Sequence, residues 1–141
     1  MSDGSKAVCR SGFLVEDKDM GIERFEDIEA WKAARELSQE VYKITVQGQF
    51  TRDYGLRDQI QRAAVSIMAN IAEGFDGRSN REFIKFLSYA FRSATEVQSH
   101  LYVALDQGYI DEGQFDELYH QALRVKKLIN GFIRYLKGAK R

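Results

Sequence analysis

Residues 54–82 read YGLRDQIQRAAVSIMANIAEGFDGRSNRE, and the spacing of apolar side chains in this stretch decides the fold. Leu56, Ile60, Ala63, Ile67 and Ile71 recur at intervals of three and four, which places them on one face of an α-helix. Ala64, Val65, Met68, Ala69 and Ala72 fill most of the remaining circumference with small or apolar groups. A helix that is apolar nearly all round needs cover on two sides. Its own bundle supplies one side, and a second subunit is expected to supply the other. The helix is expected to run from about Asp53 to Glu73, with Gly74 suited to a left-handed C-cap.

Working outward, Ser79 and Glu82 have the S-x-x-E spacing of a capping box and start a third helix. Its stripe is Phe83, Leu87, Ala90, Ala94, Val97, Leu101 and Leu105, and Gly108 is its stop. Asp111 and Gln114 are spaced to start a fourth, with the stripe Phe115, Leu118, Ala122, Val125, Ile129, Phe132 and Leu136. On the other side, Asp27 is the expected N-cap of a first helix marked by Ile28, Trp31, Ala34, Leu37, Val41 and Ile44, and residues 46–51 read as a turn. Four long periodic segments with short connections predict an all-α, antiparallel up-down four-helix bundle over residues 25–141. Residues 1–24 mix glycine, serine and charge around a short Phe-Leu-Val at 13–15, and are expected to form a flexible tail.

The 141 residues suffice for one domain with its own core, so neither disulfide nor metal is needed to hold it. A single cysteine, Cys9, fits a reducing compartment. No apolar run approaches the ~20 residues of a membrane span, and the first residues lack the apolar core of a signal peptide. The expectation is a cytoplasmic protein that binds no cofactor. Charge balances at 21 basic against 21 acidic residues, which excludes coating of nucleic acid by net charge alone.

Charge is nevertheless segregated. Residues 93–123 hold six acids and no Lys or Arg, whereas residues 124–141 hold seven Lys or Arg and no acid. In an antiparallel bundle the end of helix four lies beside the start of helix three. Arg124, Lys127, Arg134, Lys137 and Arg141 are thus expected to join Arg78, Arg81 and Lys85 in a basic surface able to meet a phosphate backbone. The macrodipole accounts for the same pattern without any ligand, since acid suits a helix start and base its end, and Glu26, Asp27 and Glu29 offset part of the charge.

Arg62, Ser66, Asn70 and Glu73 form a polar seam on the otherwise apolar second helix, closed by Gly74. The seam is either a binding site or, as favoured here, a set of buried polar groups that fixes register within the bundle or between subunits. Glu117 and His120 have the Glu-x-x-His spacing of di-metal bundles, but such a centre needs two such motifs and two further carboxylates. Leu118 and Ala122 on the core stripe also turn both side chains outward, so no metal is expected. His100 follows Glu96 by four residues and reads as a local helix pair. No nucleophile, base and orienting group can be assembled, and no catalysis is expected.

The run AAVSIMANIAEG at 63–74, preceded by Tyr54-Gly55-Leu56 and followed by Arg78, Glu82 and Phe83, resembles the signature of the four-helix-bundle proteins encoded in intervening sequences of bacterial large-subunit rRNA genes. The resemblance spans about residues 25–136, with FEDIEAWKAARELSQEVY similar to the family's opening helix and SATEVQSHLYVALDQGYI to its third. Two positions depart from the pattern: Thr51 stands where proline is common, and Arg92 stands where glycine is usual on a helix that packs closely. The resemblance implies a homo-oligomeric ring of five bundles. It also implies kinship with accessory proteins of diversity-generating retroelements, which work with a reverse transcriptase and nucleic acid. The function expected is a non-catalytic oligomeric scaffold that binds RNA or DNA through its basic end. The alternative is a protein–protein adaptor with no nucleic-acid role.

Overall fold

The structure, a computed structural model, describes residues 21–138, and among these it is helical with no strand. The helices are α1 (Glu29–Thr45), α2 (Tyr54–Phe75), α3 (Asn80–Asp106) and α4 (Glu112–Gly138). Short 3-10 turns at Phe25–Asp27 and Gly48–Arg52 precede α1 and α2. Each helix packs on two neighbours, α1 on α2, α2 on α3, α3 on α4 and α4 back on α1, which closes a four-helix bundle.

The stripes read from sequence meet at the centre. Leu37, Val41, Ile60, Ile67, Ile71, Leu87, Leu101 and Ile129 are fully buried, and Ala34, Ala64, Ala90, Ala94 and Ala122 between them let the helix backbones approach. Phe83, also fully buried, sets the edge of its ring against Phe132, 5.3 Å between centroids, and joins the start of α3 to the last turns of α4. One stripe shifts near its end: Ala104 rather than Leu105 is in the centre, and Leu105 packs at the margin. There the chain folds back, with Tyr109 N–H donating to the Ala104 carbonyl at 2.9 Å, and buried Ile110 closes that end. Of the segment expected as a tail, residues 1–20 lie outside the described residues, as does Cys9, while Ile22 is buried against the core.

The caps form largely as their spacing predicts. Asp111 and Gln114 make both arms of a capping box, at 2.8 and 3.0 Å. Ser79 Oγ accepts from Glu82 N–H at 3.1 Å, but the Glu82 carboxylate turns to Arg78 N–H at 3.0 Å rather than back to Ser79. Asp53 caps α2 through Leu56 N–H at 3.1 Å, and Gly108 stops α3 with φ +76°.

Two expected caps are not caps. Asp27 accepts from the Glu23 and Arg24 N–H groups at 3.0 and 3.3 Å, tying the turn that precedes the helix, and Ile28 takes the N-cap position of α1. Gly74 does not end α2 either. The helix continues to Phe75 with Asp76 as C-cap, and the positive-φ glycines among the described residues are Gly21, Gly48 and Gly108. Gly74 is buried, and a Cβ added there would fall 2.7 Å from Phe83 Cδ1 and 2.8 Å from Phe86 Cβ. Its small size admits α3.

Candidate nucleic-acid interface and the polar seam of α2

The seam of α2 is hydrogen-bonded across to α3. Asn70 Nδ2 donates to the Ser66 carbonyl at 2.9 Å and to Ser66 Oγ at 3.0 Å, while Ser93 Oγ on α3 donates to Ser66 Oγ at 2.9 Å. Ser93 is buried, whereas Ser66 and Asn70 are half-buried, so this network lies at the margin of the core and not at its centre. Arg62 and Glu73, at the two ends of the seam, are exposed and take no part in it. Beside it a polar groove of about 340 Å³ opens between α2 and α3, lined by Gln59, Arg62, Ala63, Ser66, Glu96 and His100. Glu96 and His100, expected as a local pair, both face this groove.

Sequence reasoning missed three polar joints of the bundle. Gln61 Nε2 donates to Thr45 Oγ1 at 2.9 Å, and Thr45 Oγ1 donates to the Tyr42 carbonyl at 3.1 Å, which satisfies a hydroxyl buried between α1 and α2. Buried Gln98 takes a bond from Lys126 Nζ at 2.9 Å and gives one to the Tyr119 carbonyl at 3.4 Å, linking α3 to α4. Tyr109 donates its hydroxyl to Asp53 Oδ2 at 2.9 Å, so the carboxylate that caps α2 also holds the turn after α3. That bond, with burial and the carboxylate's charge behind it, raises the Tyr109 phenol above its ordinary value of 10.0. No periodicity announces such contacts, because each joins residues far apart in the chain.

The cations do not all share one surface. Arg78 just before α3, Arg81 and Lys85 in its first turns, and Arg134 and Lys137 on the end of α4, are exposed near the Phe83–Phe132 contact. Lys127 is exposed too, but lines a groove of about 300 Å³ that also holds Asp27 and Glu29. Arg124 is exposed near the middle of α4, away from that end, and Arg141 lies outside the described residues. Lys126 is drawn inward to Gln98, with its ammonium 4.9 Å from the Phe91 ring centroid. Among the described residues, ion pairs involve Arg24, Lys32, Lys43 and Arg57, so none of the described interface cations is ion-paired with a described carboxylate. His120 Nδ1 lies 2.7 Å from the Asp116 carbonyl, and no group of three or more metal-ligating side chains occurs among the described residues. Arg92, at the position where the sequence departs from the resembled pattern, is exposed.

These features define, among the described residues, an all-α four-helix bundle with a hydrogen-bonded α2–α3 seam and exposed cations on α3 and α4. No helix among the described residues is long and apolar enough to cross a membrane. The family model of the 23S rRNA-intervening sequence protein matches residues 26–131, and the chain belongs to that family. A crystal structure of a protein of unknown function from the S23 ribosomal protein family of Bacteroides thetaiotaomicron is similar to it, with a TM-score of 0.69 at 26% identity, covering 74% of this chain and 98% of that one. Among curated proteins no match is found.

Proposed function

We propose that the protein is a non-catalytic, oligomeric scaffold that engages the phosphate backbone of RNA or DNA through the cations at one end of its bundle. The carrying observation is that Arg78, Arg81, Lys85, Arg134 and Lys137 are exposed, near one contact between α3 and α4, and free of carboxylate partners among the described residues. Membership of a family defined by an intervening sequence of 23S rRNA supports a nucleic-acid setting. The retroelement accessory proteins that the sequence resembles suggest a nucleic-acid enzyme, such as a reverse transcriptase, as co-partner.

The helices are inferred to run antiparallel. Asp53 at the start of α2 bonds Tyr109 just after α3, and Phe83 at the start of α3 meets Phe132 near the end of α4, as up-down neighbours require. Assembly into a ring, five-membered by resemblance, is inferred from the outer face of α2, where Val65 and Ala69 are exposed and Met68 and Ala72 half-covered. Light scattering at micromolar concentration should return several times the 16.2 kDa of one chain, and a monomer would remove the ring from the proposal.

Phosphate contacts release counterions, so affinity should fall steeply with salt and vary little with base sequence. Replacing Lys127, Arg134 and Lys137 together by Gln should weaken binding and flatten the logarithmic salt slope on duplex DNA by up to about 0.9 per lost contact. All three are exposed, so the fold should survive. Equal binding by parent and variant, or no binding by the parent at low salt, would leave the adaptor reading in its place. That reading draws on the same uncovered α2 face and on the groove beside the seam.

A further inference from the structure

At the end of the molecule away from the basic surface, Tyr102 of α3 meets Phe115 and Tyr119 of α4 in a closed triangle of rings, with centroids 4.8, 6.0 and 5.5 Å apart. Tyr102 is 51% exposed, and the other two rings are half-covered. One helical turn from each ring stands a carboxylate: Asp106 after Tyr102, Glu112 before Phe115 and Asp116 before Tyr119. All three are exposed, and none is ion-paired among the described residues. No Lys or Arg occurs between residues 93 and 123 to offset them.

We propose that this face docks an arginine-rich segment of a partner protein. Charge complementarity selects the occupant. A guanidinium lies flat on an aromatic ring while its edge forks to a carboxylate, so rings flanked by acids suit Arg better than the compact ammonium of Lys. The fold already seats a cation of its own on the neighbouring stretch, where Lys126 Nζ lies 4.9 Å from the Phe91 ring centroid. Exposed rings also serve as stacking platforms for nucleic-acid bases. Here, however, a base stacked on Tyr102 would bring its phosphates against three uncompensated carboxylates, so the face repels the ligand that the opposite end is proposed to attract.

The test is fluorescence anisotropy of a labelled arginine–glycine repeat peptide and of the same peptide with lysine for arginine, at near-physiological salt. The arginine peptide should bind more tightly than the lysine peptide, and Tyr102→Ala should weaken it about fivefold. Asp106→Asn with Asp116→Asn should weaken both peptides and reduce their salt dependence. Glu36→Gln with Glu73→Gln, which removes equal charge at exposed sites elsewhere, should change neither. The inference fails if the arginine peptide does not bind, if the control pair weakens it as much as the test pair, or if Tyr102→Ala binds like the parent. Loss of single-stranded RNA binding in Tyr102→Ala would reassign the rings to base stacking and overturn it as well. The Lys127, Arg134 and Lys137 variant should bind the peptide normally, so the result stands apart from that of the basic end.

Discussion

Along the seam between α2 and α3, Gly74 is so close to its neighbour that a Cβ would fall 2.7 Å from Phe83 Cδ1, whereas Gly131 of α4 borders a groove shared with α1, and a Cβ there would meet nothing nearer than Arg134 Nη2 at 3.9 Å. The first seam is closely packed at Gly74, bonded through Ser66 and Ser93 beside its polar groove, and tied by Asp53 and Tyr109 at the other end. The second keeps a groove of about 300 Å³ lined by Ile22, Ile28, Leu128 and Phe132. The same residue type thus serves opposite ends. In one helix glycine is there because nothing larger fits, and in the other it has room to spare.

The sharpest way to break that contrast is to add one methyl group to each glycine. Gly74→Ala gains helix propensity of about 1 kcal/mol, but overpacking a closed seam costs about 1–3 kcal/mol. Phe83 is fully buried and Phe86 Cβ is next to backbone, so neither can swing away, and the cost should win. A net loss of up to about 2 kcal/mol is expected in denaturant unfolding. Combining it with Phe83→Leu should recover part of that loss if the clash is with the ring. A more stable Gly74→Ala protein would show that α2 and α3 are not in close contact there.

Gly131→Ala is the counterpart with the opposite sign. With open space around the new Cβ, the substitution should stabilise by up to about 1 kcal/mol, through helix propensity and a less flexible unfolded chain. A destabilised variant would mean that the α1–α4 groove closes in solution.

This pair of glycines also marks where the sequence is legible. The stripes of Ile60, Ile67 and Ile71 or Leu87, Val97 and Leu101 could be read because burial imposes a period on residues near in the chain. Asp111 with Gln114 could be read for the same reason, since a cap is a contact across three residues, whereas Asp53 was legible only as the approximate start of α2 and the structure adds its bond to Leu56 N–H. Gly74 reads as a stop in the sequence because a glycine at a helix end and a glycine under a crossing helix look alike until the neighbour is in place. Asp27 reads as an N-cap, but the same carboxylate can tie a preceding turn, and here it does. The polar seam was legible as a set, Ser66 with Asn70, but its partner Ser93 was not, because that hydrogen bond spans 27 positions. The cations could be listed from sequence, yet only the fold shows Lys126 turned inward and Lys127 sharing a groove with acids.

The smallest expected effect lies at the tied end of the α2–α3 seam and is read through pH. Tyr109 donates to Asp53 only while its phenol is protonated, and that bond raises its pKa above 10.0. The folded state therefore binds the proton more tightly than the unfolded chain, so the contribution is fully present below the ordinary tyrosine value and is lost as pH rises above it. Tyr109→Phe removes the bond but leaves Asp53 capping Leu56 N–H, so α2 keeps its start. Denaturant midpoints measured from pH 8 to pH 11 should show the parent ahead of the variant at the lower end and the gap narrowing above about pH 10. Every other side chain is common to the two proteins, so the difference isolates Tyr109. The absence of any gap across this range would mean that Tyr109 contributes through its stacking on Phe50, at 5.1 Å, which the variant keeps, and that the carboxylate holds α2 alone.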